Sequence, residues 1–510
     1  MTLIPPRTTE PAEPADLAPT AGPDTSGDRA GRREWTALGV LMLPLLLVSM
    51  DVSVLYFAIP AISADLRPGA TAQLWILDMY GFVLAGLLIT MGALGDRVGR
   101  RRLLLAGAAL FGVASLAAAY AHSPATLIAA RALLGVAGAC LMPSTLALIR
   151  TLFRDAAQRA KAVTLWTAVM ASGISLGPVV SGALVEHFWW GSVFLVNLPA
   201  MALLLVLGPL LLPSSRGTAH GRFDLVGALL SLAALLPLIH GVKELAKDVR
   251  QPLPAAGIVL GVLLALVFVR RQARLEHPMV DLKLVRRRAY GGSVLANLLA
   301  MVAVVGFAVF LTQYLQSVLG QSPFEAALWS LVPSLGVMVA APTGAALARS
   351  VDPALVMGGG FLVAAAGFGG LAVIGRDTPL WVLLVASAVY AAGLVTAMTL
   401  ANELALGAAP PERAGSAAAV LESGQELGGA LGMAILGSIG AAIYTNAMPS
   451  SAPAAARETL GGAVASPGPV LEAARSAFTS ALNGAAVGAA LVAVAAAAVA
   501  LTLLRGRRAT

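Results

Sequence analysis

Long apolar runs alternate with short polar or basic connections along almost the whole chain. Each run approaches or exceeds the ~20 residues that carry an α-helix across a bilayer. The pattern predicts about 14 spans, with a first group at residues 36–62, 72–94, 103–121, 124–149, 162–185 and 193–212. A pair follows at 224–243 and 253–270, and a last group at 290–316, 325–348, 354–375, 380–402, 415–443 and 479–504. In lipid every backbone polar group must be satisfied within the segment, so an all-α polytopic membrane protein is expected.

The charge distribution sets an expected orientation. With the N-terminus inside, 26 Lys and Arg fall on cytoplasmic segments, 7 on external ones, and Arg131 lies within a span, together the 34 of the chain. This excess obeys the positive-inside rule and calls for an even number of spans with both termini cytoplasmic. The layout reads as a tail over 1–34, a six-helix bundle over 35–213, an extra helix pair over 214–271, a basic linker over 272–289 and a second six-helix bundle over 290–510. The tail is rich in Pro and acid, lacks a signal-peptide h-region and reads as disordered. Residues 444–478 form the longest external loop expected, and the sequence suggests no role for it.

Composition supports the membrane class: of 510 residues 58% are hydrophobic and 12% charged, against about 25% charged in soluble domains. The net charge of +8 sits in short clusters between apolar runs, without the basic stripe or motif of a nucleic-acid binder. Cys140 is the single cysteine, which excludes an intrachain disulfide.

Ionisable side chains inside the spans are the candidate chemistry. They are Asp51, Asp78, Arg131, Glu422 and Glu426. Each costs roughly 2.5–3.5 kcal/mol at the bilayer centre, so such residues face a protein interior or a wet cavity. At about 1.5 Å rise per residue, Asp51 stands about 22 Å from the inner end of its span, and Asp78 and Arg131 about 9–10 Å from the outer ends of theirs. All three share the outer third of a core about 30 Å thick. Glu422 and Glu426 are i, i+4 on one helix face, nearer the middle. Low dielectric favours the neutral carboxyl, and a lipophilic cation favours the ionised one, so one site holds a proton or a cation but not both. Tyr56, Trp75, Tyr80 and Trp166 are candidate cation–π partners. Taken singly, each charge also fits a buried ion pair, Arg131 above all, and Glu426 fits a boundary carboxylate in water. Two acids on one face with two more at matched depth favour a site.

Three motifs sharpen this. The loop after the second span reads GALGDRVGRRRLL, with Gly92, Asp96, Arg97, Gly99 and Arg100 at the positions of the major facilitator superfamily's cytoplasmic signature. The fourth span carries Leu127, Arg131, Gly135, Gly138 and Ala139 in the spacing of that superfamily's second motif, with Leu134 in place of the usual glutamine. GISLGPVVSG in the fifth span is similar to the antiporter motif, at Gly173, Gly177, Pro178 and Gly182, with Ser181 replacing one glycine. Along almost its entire length the chain resembles the fourteen-span drug:proton antiporter family, and its WILDMYGFVLAG and LESGQELGG segments resemble quaternary-ammonium efflux pumps of the QacA type.

The resemblance implies two six-helix bundles around a central cavity, alternating access, and proton-coupled export of lipophilic cations, quaternary ammonium compounds or antibiotics across the plasma membrane. It implies proton or substrate binding at Asp51, Asp78, Glu422 and Glu426, and a proton-transfer role for Arg131. Some members carry a further acid deep in the tenth span, where this chain has only Glu325 at the outer edge. A monomer is expected, with no cofactor, metal site or nucleic-acid partner.

An uptake symporter remains an alternative, and so does a membrane sensor or enzyme using the same acids. GISLG also satisfies the hydrolase pattern around Ser175, but a hydrophobic helix beside Pro178 is the wrong context for a nucleophile elbow. No phosphate-binding GxxxxGK[ST] loop occurs, so direct ATP drive by this chain is unsupported. The five histidines lack metal-ligand spacing, and His240, the one expected in the membrane, reads as a packed side chain.

Overall fold

A computed structural model describes residues 30–213, 224–245, 252–275, 280–409, 414–464, 466 and 468–505. Every regular element among them is helical. In chain order these are α1 (Arg32–Leu66), α2 (Ala70–Val98), α3 (Arg100–Ala119), α4 (Pro124–Leu152), α5 (Ala156–His187), α6 (Ser192–Leu195), α7 (Asn197–Leu211), α8 (Leu225–Leu245), α9 (Pro252–Arg274) and α10 (Leu282–Val285). There follow α11 (Arg288–Gln313) with a π-helical turn at Tyr314–Val318, α12 (Pro323–Trp329), α13 (Val332–Leu347), α14 (Pro353–Leu371), α15 (Leu380–Gly407), α16 (Ala414–Ala447), α17 (Ala454–Glu458), α18 (Leu460–Ala463) and α19 (Gly468–Leu503).

Among the described residues, 12 helices are long and apolar enough to cross a membrane. α8 offers only the shorter apolar run Leu229–Gly241, and the expected tenth span is split into α12 and α13. Pro333 causes the split: it has no N–H to donate and its ring clashes with the carbonyl four residues back, so α12 ends at Trp329 and α13 restarts at Val332. The segment 415–443, polar at its start, is one unbroken helix running from Ala414 to Ala447. The loop expected over 444–478 is correspondingly shorter and partly helical, since α16 overruns its start and α19 begins at Gly468. The expected tail loses its last residues to α1, and residues 1–29 lie outside the described ones.

α1–α7 form one half and α11–α19 the other. Within each half, helices approach through small residues, as is general where lipid offers no hydrophobic drive. A Cβ on Gly306 of α11 would stand 2.5 Å from the Gly432 carbonyl oxygen of α16. α8 and α9 pack on each other, and α8 bridges the halves: Ser231 donates to the Gly86 carbonyl of α2 at 3.2 Å, while Ile239 shares a buried cluster with Phe82 of α2 and Ala434 of α16.

The halves meet at the face opposite the basic loops. There the α5 end abuts α12, the α1 end abuts α18, Gln316 donates to the Phe57 carbonyl at 3.3 Å, and Leu74 of α2 lies against Gly437 of α16. Toward the basic face, α2 and α16 pack within their own halves: Gly92 and Gly95 on Pro143 and Ser144, and Ala417 and Leu421 on Tyr290 and Ala405. The contacts between the two bundles named here thus gather at the face opposite the basic loops.

Candidate functional site

Arg131 is the centre of the N-terminal half. The residue is 1% exposed. Nη1 donates to the Asp51 carboxylate of α1, Nε donates to the Ile76 carbonyl of α2 at 3.2 Å, and the Tyr80 ring lies under it, 4.8 Å from its centroid. Tyr80 is itself buried and donates to the Val48 carbonyl at 3.3 Å. Helix α4 is thereby tied to α1 and α2 through one cation. Small residues make the approach feasible, because a Cβ on Gly135 would stand 2.7 Å from the Tyr80 carbonyl oxygen.

Asp78, 4% exposed, lies on α2 half a turn from Ile76 and Tyr80. Glu426 comes from the other half: its Oε2 lies 3.8 Å from where a Cβ on Gly81 would be, three residues along α2 from Asp78. Tyr56 lies within electrostatic range of Asp78, Glu426 and Arg131, and Tyr80 within range of Asp51, Glu426 and Arg131. Asp51, Asp78, Arg131 and Glu426 therefore converge where α1, α2, α4 and α16 meet. Glu422 is one turn nearer the basic face on α16 and, like Glu426, is half-buried. Its Oε1 has no hydrogen-bond partner among the described residues.

Sequence reasoning missed a neighbouring amide cluster. Gln425 Nε2 donates to Asn402 Oδ1 of α15 at 3.1 Å and to Asn297 Oδ1 of α11 at 3.3 Å. This holds the turn of α16 that carries both glutamates. Uncharged amides inside apolar runs were the available signal, since such side chains tie helices across a membrane.

The proposed substrate aromatics are placed unequally. The Tyr80 ring is occupied by Arg131, and Trp166 Nε1 donates to Thr145 Oγ1 at 3.1 Å. Trp75 stacks on His240 with centroids 6.2 Å apart, so His240 packs on an aromatic ring while keeping an exposed side chain. Tyr56 is half-buried next to the acids and, among the described residues, stacks on no other ring. Glu325 accepts from its own helix start, Ser322 N at 3.0 Å, as a capping residue of α12.

At the signature loop, α2 ends and α3 begins on the same residue, Gly99, with φ 102°. That conformation strains any side chain with a Cβ, which explains the glycine. Arg97 and Arg100 flank it, half-buried, and the side chain of Asp96 lies outside the described residues. The adjacent Arg101 donates to the Leu212 carbonyl at 3.0 Å and Arg33 to the Leu210 carbonyl at 2.9 Å, satisfying the open end of α7.

The antiporter motif packs α5 on α1. Gly173 sits on Ser49 and the Leu46 carbonyl, and Gly177 lies with its would-be Cβ 3.0 Å from the Met50 carbonyl. Ser181, where the motif has glycine, is fully buried and donates to the Val54 carbonyl at 2.7 Å. Pro178 lies within α5. Gly182 faces the other half, 2.6 Å from Pro323 O by the same measure. No group of His, Cys, Asp and Glu suited to a metal occurs among the described residues.

Two helical bundles with ionisable side chains buried at their seam define a polytopic membrane transporter. Residues 41–433 match the model of the Major Facilitator Superfamily. The chain is 42% identical over 488 residues to the multidrug efflux pump LfrA of Mycolicibacterium smegmatis, covering 93% of this chain and 97% of that protein. It is 36% identical to the methyl viologen resistance protein SmvA of Salmonella typhimurium, over 79% of this chain and 82% of that one. In fold it is similar to a bacterial homologue of the human lysosomal transporter Spinster, solved inward-facing and occupied, with a TM-score of 0.63 and 18% identity over 94% of this chain and 98% of that one. The chain belongs to the major facilitator superfamily and is a transporter rather than an enzyme.

Proposed function

We propose that this transporter exports lipophilic, mostly cationic drugs from the cell in exchange for protons. The basic face is cytoplasmic in this reading, so the structure is inward-facing, with both termini inside. The observation that carries the proposal is that the Asp51–Arg131 pair, Asp78 and Glu426 share Tyr56 and Tyr80 as neighbours at the seam of the two halves. Carboxyls at that seam alternate between a proton and a cation, and each occupant favours a different facing of the bundles. Export as the direction accords with the relatives, named for multidrug efflux and methyl viologen resistance.

Asp51 and Arg131 serve as a proton-responsive pair, Asp78 and Glu426 as the shared proton and cation site, and Glu422 as the first acid met from the cytoplasm. Gly173, Gly177, Pro178 and Gly182 let α5 rock on α1 and on α12. Gly92, Asp96, Arg97, Gly99 and Arg100 form the inner gate.

The test is proton release from acidified inverted vesicles on adding ethidium, quaternary ammoniums, neutral antibiotics, sugars or organic acids. Release by the cations supports the proposal. Release only by a sugar or an acid would assign an uptake symporter, and no proton flux with any of them would remove coupled transport.

A further inference from the structure

On the outer side of the acidic site, along the same seam, lies a cavity of ≈ 50 Å³. The α2 face that presents Gly81 to Glu426 continues outward through Leu77, Leu74 and Gln73, and the α16 face that carries Glu426 continues through Gly437 and Tyr444. Eleven residues from Glu426 to Gly437 amount to about 16 Å of helix, so the cavity sits on the outward line from the acid. Its other walls are Phe310 of α11 and Phe478 of α19, whose rings lie 5.9 Å apart. A lid formed by the ends of α17 and α18 covers it: Glu458, Thr459 and Leu460 reach its rim, and Tyr444 donates to the Ala456 carbonyl at 2.8 Å to hold the lid down. The lid crosses the seam, since Glu458 Oε2 lies 2.5 Å from a would-be Cβ on Gly69 and the Ser63 Cβ 2.5 Å from one on Gly461.

One polar atom in this cavity is unspent. Gln73 is 9% exposed, and its Oε1 is buried without a hydrogen-bond partner among the described residues. A buried acceptor left unmade is destabilising, a cost that a ligand bringing an N–H donor removes. Aromatic rings on two sides and a carboxylate at the mouth suit a cation. The volume is a few times the ~10–15 Å³ that one water needs by the same measure, room for a small substituent such as an amino group. The rest of a drug enters only when the halves part at this face.

We propose that this cavity is an export-side subsite that receives aromatic cations bearing N–H groups on their way out, with Gln73 Oε1 as acceptor, Phe310, Phe478 and Tyr444 as ring partners and Glu458 as the charge at the exit. The proposal rests on the cation-export reading above and adds a second binding step to it.

The experiment measures efflux from oriented proteoliposomes while the same cation is added on the outer side. Ethidium, which has amino groups, is compared with tetraphenylphosphonium, which has no N–H. Gln73→Leu is expected to raise the outer ethidium concentration that halves efflux by about tenfold, the loss of one hydrogen bond to a charged ligand, and to leave that of tetraphenylphosphonium unchanged. Glu458→Gln should raise both. The KM for each cation on the cytoplasmic side should stay at the wild-type value, which distinguishes an outer subsite from general damage. Unchanged outer inhibition in both variants, equal shifts for the two cations in Gln73→Leu, or an equal shift in cytoplasmic KM would overturn the subsite. Wild-type protein that expels neither cation would instead overturn the export reading itself.

Discussion

Gly182 of α5 lies directly on the backbone of Phe324 at the start of α12, so that a Cβ there would stand 2.9 Å from the Phe324 Cα. One turn on, Glu186 accepts from the Phe324 amide at 3.2 Å. The obstructing atoms are backbone and cannot rotate away. Gly182 therefore sets how closely the two halves shut at the face opposite the basic loops. Gly182→Leu should prevent that closure, lower the maximal efflux rate at least tenfold and make a cysteine placed at Ser63 reactive to membrane-impermeant thiol reagents. Normal efflux by Gly182→Leu would show that the α5–α12 contact is not a gate.

Arg131 and Asp51 are both sealed from solvent, which changes what a single substitution tests. Removing one partner of a buried pair leaves the other uncompensated, at a cost of about 3–5 kcal/mol. Asp51→Asn should thus lower the melting temperature in detergent as well as abolish proton-coupled efflux. The double variant Asp51→Asn with Arg131→Gln should recover most of the melting temperature and none of the coupling. Recovery of both would reduce the pair to a structural tie between α1 and α4.

The sequence revealed the helices wherever hydropathy was unbroken, and it placed Asp51, Asp78 and Arg131 at one depth because rise per residue converts spacing into height. Height does not give azimuth. That Arg131 reaches Asp51 and also the Ile76 carbonyl, with Tyr80 beneath it, depends on how α1, α2 and α4 are rotated. Long-range geometry of that kind has no local signature. The same limit hid the Gln425–Asn402–Asn297 cluster, whose members stand on three helices. The segment over 444–478 was misjudged for a different reason: its Ala, Ser and Pro read as loop, whereas Tyr444, the C-terminal end of α1 and the N-terminal end of α2 supply the packing that holds α17 and α18.

The α8–α9 pair is pinned at its basic end by Asp224. That carboxylate accepts from Arg271 at 2.7 Å, from the Gly227 amide at 2.8 Å and from Gln272 at 3.1 Å. Burial alone would push its pKa up, but these hydrogen bonds and the Arg271 charge outweigh it and hold the carboxyl below its ordinary value. A depressed carboxylate pKa stabilises the fold above the unfolded value, near 3.9, and that contribution fades as pH falls through the folded one. Asp224→Asn should cost about 1 kcal/mol at neutral pH, and the difference from wild type should shrink in thermal melts taken toward pH 3. A difference that persists there would assign the effect to packing rather than to charge.

Glu426 and Glu422 share a helix face but not a setting: Glu426 lies against Gly81 across the seam, and Glu422 is a turn nearer the basic face with an oxygen that has no partner among the described residues. Glutamine keeps the shape of either side chain and makes it permanently neutral, the equivalent of a proton that never leaves. At position 426 the bundles should still exchange facing and a cation still move down its gradient, but an imposed pH gradient should no longer drive it uphill. At position 422 the pH drive should survive. Its loss should be felt as affinity, with KM for a dication such as methyl viologen rising about tenfold, or 1.4 kcal/mol, and that for a monovalent dye changing less. Paired uptake assays with and without a pH gradient read both effects in one preparation. Uphill transport by Glu426→Gln equal to wild type would take the shared proton and cation site away from the seam, and equal KM changes for both charges would deny Glu422 its part in recognition.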